Sequence, residues 1–69
     1  MMRVKEFVTS FVMPTDDEIR EGVRVAKEED CIVRISYFVP YSGSYNLDIT
    51  PNSTFEECYV RVHNHTYPV

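Results

Sequence analysis

Residues 31–50, CIVRISYFVPYSGSYNLDIT, contain two runs of alternating apolar and polar side chains on either side of a short glycine-containing segment. This pattern predicts a β-hairpin, because successive side chains of a strand point to opposite faces. The two apolar faces coincide when residues 41–43 form the loop, with Gly43 in a left-handed conformation. A slip by one residue would bury Asn46 and Asp48, so the buried face of the hairpin is well determined. The predicted pairs are Val39 with Tyr45, Tyr37 with Leu47, and Ile35 with Ile49.

The residues before the hairpin predict a strand followed by a helix. Apolar side chains in residues 3–13 recur at helical spacing, but the valines and phenylalanines are typical of strands, and we predict a strand. Pro14 ends it. Thr15 and Glu18 then form the pattern of a capping box, which predicts a helix from Asp16 to about Lys27. The residues predicted on its buried face are Ile19, Gly22, Val23 and Ala26, with the glycine allowing close approach to the sheet.

The segment after the hairpin is open to two interpretations. Pro51 ends the second strand, and Ser53 or Thr54 offers a helix cap. Residues 54–63 place apolar side chains at helical spacing, although Cys58, Val60 and Val62 also alternate as in a strand. We predict a short helix over 54–63 and an irregular tail over 64–69.

Together these elements predict an α+β fold in the order β-α-β-β-α, forming one compact domain over residues 1–69. A right-handed crossover makes the first two strands parallel. The sheet is then a single layer of three strands with both helices on one face. The other face shows Ile32 and Phe38 among polar side chains, a composition that indicates a homodimer or a bound partner.

Size and charge limit the classes of function. The chain has 69 residues and a formal net charge of −4. A domain of this size has a small core, so we expect low stability. Residues 16–30 hold seven acidic and three basic side chains, which accounts for the whole net charge. Direct binding to nucleic acid is disfavoured because it requires a basic surface. A protein partner with a basic surface is the better electrostatic match.

The start of the chain, MMRVKEF, lacks the apolar core of a secretory signal, and no stretch is long enough to cross a membrane. We therefore expect a cytoplasmic protein in which Cys31 and Cys58 are reduced. The small size suggests a phage-encoded protein, which would act in the host cytoplasm.

No pattern typical of catalysis or of metal binding occurs. His63 and His65 lack the ligand spacing of zinc sites, so we predict no metal. Cys58 and His63 are five residues apart and do not share a helix face, which disfavours a nucleophile and base pair. The two isolated glycines cannot form a phosphate-binding loop. We expect no enzyme activity and no cofactor.

The candidate site is the tip of the hairpin together with the acidic helix. Tyrosine, serine and glycine are the residues that recognition loops favour, because tyrosine offers a large contact area at little entropic cost. The sequence thus favours a non-catalytic protein-binding module, an inhibitor or adaptor that occludes a partner surface. The alternative is a homo-oligomer that binds a nucleotide or metabolite in a pocket between subunits, with Tyr37, Tyr45 and Arg34 as lining residues. The predicted partner-binding residues are Tyr37, Phe38, Tyr41, Ser42, Gly43, Ser44, Tyr45, Asp16, Asp17 and Glu21.

Overall fold

A computed structural model describes residues 2–9 and 11–66 of the chain, with the backbone alone for residues 65 and 66. The predicted α+β architecture is confirmed, in the order β-α-β-β-α. The elements are β1 (Val4–Val8), α1 (Asp16–Glu29), β2 (Ile32–Val39), β3 (Gly43–Ile49) and α2 (Phe55–Thr66).

The three strands form one sheet in the order β1-β2-β3. As the crossover predicts, β1 runs parallel to β2, whereas β2 and β3 are antiparallel. Both helices pack on one face of this sheet and bury its apolar side chains. The fully buried residues of that face include Val33, Ile35, Leu47 and Ile49 from the sheet, Ile19 from α1, and Cys58 and Val62 from α2.

The start of α1 is fixed by the predicted capping box. The amide of Glu18 donates to the Thr15 hydroxyl at 3.1 Å, and the Thr15 amide donates to the Glu18 carboxylate at 2.8 Å. The hydroxyl of Thr9 also donates to that carboxylate, at 2.6 Å. These contacts tie the end of β1 to the first turn of α1.

The other end of α1 extends two residues beyond the predicted Lys27, to Glu29. Crowded acids oppose a helix C-terminus, but here Lys5 donates to both oxygens of the Glu29 carboxylate at 2.9 Å. Asp30 then ends the helix in a left-handed conformation, with its amide bonded to the Ala26 carbonyl. On the buried face, Val25 is more deeply buried than the predicted Val23.

Gly22 confirms the predicted close approach of α1 to the sheet. A Cβ atom at this position would lie 2.7 Å from Cδ1 of Ile49 and 3.5 Å from Cδ1 of Ile35. Carbon atoms normally pack about 3.5–4.0 Å apart, so the first of these contacts leaves no room for a methyl group. The glycine therefore sets how near the helix lies to β3.

The hairpin has the predicted faces, but its predicted register is wrong by two residues. The loop comprises residues 40–42 rather than 41–43, since Val39 pairs with the first residue of β3. Pro40 explains the difference, because proline has no amide hydrogen for a strand ladder and its fixed φ suits the second position of a turn. A shift of two preserves every side chain's face. The observed pairs are Val33 with Ile49, Ile35 with Leu47, Tyr37 with Tyr45, and Val39 with Gly43.

The first strand and the second helix also differ from their predicted bounds. The first strand covers only Val4–Val8, and residues 11–13 form a bend instead of continuing the strand. Pro14 and the capping contacts of Thr15 turn the chain at this point, which shortens the strand. The second helix is confirmed but runs to Thr66, so residues 64–66 of the predicted irregular tail are helical. Residues 67–69 lie outside the described part of the chain.

Candidate functional site

The tip of the hairpin is a tight turn with an unusual residue at its third position. The amide of Ser42 donates to the Val39 carbonyl at 3.0 Å, which makes residues 39–42 a β-turn with Pro40 second and Tyr41 third. Tyr41 has a φ of 67°. Positive φ after a proline is the type II pattern, which normally requires glycine at that position. Tyrosine occupies it here, and its side chain is fully exposed.

Gly43 was predicted to be the last residue of the loop, with a positive φ; its φ is positive, but it lies outside the loop. It is the first residue of β3, with a φ of 117° and open space where a Cβ would project. The positive φ of the turn itself belongs to Tyr41. The reason is again Pro40, since its ring fixes the second position of the turn and thereby selects which residue comes third.

A second tyrosine, Tyr45 on β3, supports the turn. The Tyr45 hydroxyl donates to the Ser42 hydroxyl at 3.0 Å, and the rings of Tyr45 and Tyr37 stack with their centroids 5.9 Å apart. Tyr37 is only 4% exposed, so it supports the tip and offers little surface to a partner. Burial raises the pKa of its hydroxyl above the ordinary value. These contacts hold the loop in one shape.

Exposed apolar side chains surround the turn. Phe38 is 55% exposed at the end of β2, and Phe11 is 65% exposed in the bend that follows β1. One groove runs between these two phenylalanines and reaches Ser44 on β3. A second groove, of about 750 Å³, runs from Phe11 to Pro40 and the first residue of α1. We call this region the tip surface; it consists of Phe11, Val12, Phe38, Pro40 and Tyr41.

Topology explains why these residues meet. β1 and β2 are parallel, so their carboxyl ends lie at the same edge of the molecule, and the hairpin turn follows β2 there. The first turn of α1 lies near that edge too, because α1 follows the carboxyl end of β1 in the chain. Asp16 therefore lines the same groove as Pro40, which brings together two surfaces that are far apart in sequence. Asp17 and Glu21, in contrast, line a separate cleft between α1 and β1 with Phe7.

The acidic side chains of α1 are partly neutralised along the helix. Arg24 forms ion pairs with Glu21 and Glu28, and its hydrogen bond lowers the pKa of Glu21. Asp17 lies 3.6 Å from Arg20, and its side chain is almost wholly exposed. A surplus of negative charge remains on the helix, because residues 16–30 hold seven acids and three bases.

Phe11 and Val12 were not among the site residues predicted from the sequence. Both were predicted to lie within the first strand. The sequence did contain a sign that these residues leave the strand, because residues 3–13 combine the apolar spacing of a helix with residue types typical of strands. Neither a helix nor a strand accounts for both features. Such a conflict, followed directly by Pro14, is typical of a chain that leaves the sheet.

Of the groups considered for catalysis, the two cysteines lie apart from the tip surface, whereas His63 lines the groove that runs from Phe11 to Pro40. Cys31 and Cys58 are buried in the core, and burial raises the pKa of the Cys58 thiol. The ring of His63 lies 4.0 Å from that of Tyr59. Among the described side chains, those of residues 2–9 and 11–64, no cluster of three or more histidine, cysteine or acidic groups could hold a metal ion. None of the helices in the described residues is both long and apolar enough to span a bilayer.

Comparison with protein-family models, with curated proteins and with solved structures finds no significant match to this chain. The site therefore has to be interpreted from its own geometry.

Proposed function

We propose that this chain is a small, non-catalytic protein-binding module whose tip surface contacts the partner. The observation that carries the proposal is Tyr41, a fully exposed aromatic side chain at a turn position that favours glycine. A left-handed conformation costs a residue with a side chain about 1–2 kcal/mol. The exposed ring gains no burial within the fold to offset this cost.

Strained residues of this kind are concentrated at binding and catalytic sites, where the side chain is held for use. An exposed tyrosine on a rigid turn is suited to protein recognition, because its ring buries a large area and loses few rotamers on binding. The stack of Tyr45 on Tyr37 keeps the turn from adapting, so binding would lose little further entropy.

The surroundings of Tyr41 support the same proposal. Phe11 and Phe38 present apolar area beside the turn, and aromatic anchors of this type carry much of the energy in protein interfaces. Asp16 adds negative charge at the rim of the groove. A partner with an apolar pocket bordered by basic residues would match both features. Through this contact the chain would act as an inhibitor or adaptor that occludes the partner, in keeping with our prediction of a phage-encoded cytoplasmic protein.

The alternative, a homo-oligomer with a ligand between subunits, gains less support. Arg34 lies on the open face of the sheet, where it binds Asp48 at 2.8 Å. Tyr37 and Tyr45 lie on the helix-covered face, because they occupy alternate positions of their strands. One subunit therefore cannot present all three side chains to the same pocket. Self-association through the open face stays a prediction.

The test is capture of a partner by the full chain and by two tip variants. We expect the wild type to retain a specific protein from its native host and Tyr41→Gly and Phe38→Ala to lose it. Val60→Ala is the matched control, since Val60 is an exposed apolar residue on α2 and should not affect capture. Equal recovery of the same protein by wild type and both tip variants would refute the tip surface as the contact.

A further inference from the structure

The outer edge of β1 has main-chain hydrogen-bonding groups that face away from the sheet. On the inner edge, the Arg3 carbonyl accepts from the Ile32 amide at 2.8 Å, and the Thr9 amide is directed to the Ser36 carbonyl. Main-chain groups alternate between the two edges along a strand. The amides and carbonyls of Val4, Glu6 and Val8 therefore point outwards, and no other strand in the described residues pairs with them.

A row of alternating charges crosses the open face of the sheet and ends at this edge. Glu6 lies beside Arg34 in the register of β1 and β2, and Arg34 lies opposite Asp48 on β3. The Arg34 guanidinium binds the Asp48 carboxylate at 2.8 Å, and Glu6 contributes to the raised pKa of that guanidinium. The sequence of charges from β3 to the outer edge is negative, positive, negative. A positive charge beyond Glu6 would continue it.

We propose that the outer edge of β1 binds an extended peptide segment of a partner protein as a fourth strand, with a lysine or arginine of the segment opposite Glu6. The segment would carry apolar residues two positions before and two positions after the basic one. Those residues would lie opposite Val4 and Val8, which are 46% and 83% exposed. Cross-strand pairs of these kinds stabilise a sheet, and the main-chain bonds supply affinity.

The charges argue against a second copy of the chain on this edge. An antiparallel pair of β1 strands related by a two-fold axis, with the strands fully overlapped, would place Glu6 opposite Glu6 of the other copy. Like charges directly opposite each other destabilise a sheet. A basic segment from another protein meets the opposite sign instead.

The helix-covered side of the same edge fits a basic segment as well. The cleft between β1 and α1 has an apolar floor that includes Phe7 and Ile35, and acidic side chains of Asp17 and Glu21 line its wall. Alternate residues of an added strand would point into this cleft. Its negative rim would attract additional lysines or arginines of the segment.

The experiment uses isotope-labelled full-length chain and a short palindromic peptide, Thr-Val-Thr-Lys-Thr-Val-Thr with blocked ends, titrated by NMR. We expect the added strand to run antiparallel to β1, the more stable arrangement, in which the main-chain groups of the peptide's lysine and valines face β1. We expect saturable shifts of the amides of Val4, Glu6 and Val8. N-methylation of the peptide's lysine and valines should abolish these shifts, because it blocks the edge that faces β1. N-methylation of its threonines, on the other edge, is the matched control and should preserve binding.

Charge reversal supplies the second arm. A peptide with glutamate in place of lysine should bind the wild type about fivefold more weakly, and Glu6→Lys should invert this preference. Glu6→Gln should remove it, which keeps the test decisive even if the lysine variant folds poorly. Glu56→Lys makes the same charge change on α2 and should leave the preference as in the wild type.

Three results would overturn the proposal: peptide shifts confined to residues outside β1, equal binding by the two N-methylated peptides, or equal affinity for the lysine and glutamate peptides. A peptide-free dimer whose β1 amides are protected from hydrogen exchange would overturn it too, since a second copy would then hold the edge. Tyr41→Gly should bind the peptide as the wild type does. A negative peptide titration would therefore not bear on the tip surface, which is tested separately by the capture experiment.

Discussion

Tyr41 is the residue on which the proposed function most depends, and it occupies a conformation that is unfavourable for the fold. Its φ of 67° fits the third position of the turn set by Pro40, yet its side chain is fully exposed and gains nothing from burial. Glycine would adopt the same conformation without strain. Stability and the proposed function therefore favour different residues at this position.

We predict that Tyr41→Gly raises the free energy of unfolding by about 0.5–1 kcal/mol, since relief of the left-handed conformation exceeds the added entropy of the unfolded chain. Urea denaturation followed by circular dichroism measures it. Tyr41→Ala is the matched control, because alanine also removes the ring but keeps the strain. A glycine variant no more stable than the alanine variant would show that the turn holds no strain at this residue.

Gly22 is the second residue whose identity the packing requires. In an exposed helix an alanine would gain about 1 kcal/mol over glycine. Here the added Cβ would lie 2.7 Å from Cδ1 of Ile49, a fully buried side chain. We predict that Gly22→Ala lowers the free energy of unfolding by about 1 kcal/mol, as overpacking outweighs propensity.

Ile49→Val removes the atom in question and permits a double-mutant cycle. Alone it should cost about 0.5–1.5 kcal/mol through the lost methyl group. Combined with Gly22→Ala it should cost less than the sum of the two single changes by about 1 kcal/mol, because the alanine methyl fills the vacated space. Additive single effects would mean that the clash is relieved elsewhere, for example by a shift of α1.

At the scale of elements, the contact between β1 and α1 holds the edge strand in place. Lys5 binds both oxygens of Glu29, and Arg3 lies 3.5 Å from the same carboxylate. The hydrogen bond from Lys5 lowers the pKa of Glu29 below its ordinary value. Ionisation of this carboxyl is thus favoured in the folded chain more than in the unfolded chain.

The stabilisation from Glu29 is consequently present above its unfolded pKa and is lost as pH falls through its lowered folded pKa. We predict that Glu29→Gln lowers the melting temperature at about pH 7 and that this difference shrinks as pH falls through the lowered folded pKa. Thermal unfolding of both proteins over a series of pH values measures this. Glu56→Gln, on α2, is the control; an equal effect of both variants would assign the change to net charge.

At the scale of the whole molecule, the negative charge is concentrated on α1, whose first residue lies at the rim of the tip surface. Charges placed beside a contact mainly accelerate association and are screened by salt. In the proposed complex, the apolar tip surface would supply affinity and the charged border would speed association.

We therefore predict that the association rate with the captured partner falls as salt rises, while the dissociation rate changes little. Surface plasmon resonance over a range of ionic strength measures both rates. Asp16→Asn should reduce this salt dependence, and Glu56→Gln should reduce it less because it lies on the other helix. If salt changed only the dissociation rate, the result would contradict the proposed role of the charges.

The sequence alone determined the order of elements, the capping box at Thr15 and the buried face of the hairpin. Each of these depends on local spacing: a cap needs residues three apart, and a strand face needs only alternation. For the same reason the hairpin register was predicted two residues out, since alternation cannot distinguish shifts of two. Pro40, which occupies the second position of the turn, selects the observed register over the predicted one.

Only the tertiary structure decided the candidate surfaces. Phe11 and Pro40 are far apart in the chain, and they meet because parallel strands place their carboxyl ends at one edge. The charge row of Glu6, Arg34 and Asp48 likewise depends on the pairing of three strands. Local patterns specify which side chains turn inwards, whereas the neighbours of an exposed side chain depend on how distant segments pack, and that information is absent from any short stretch of sequence.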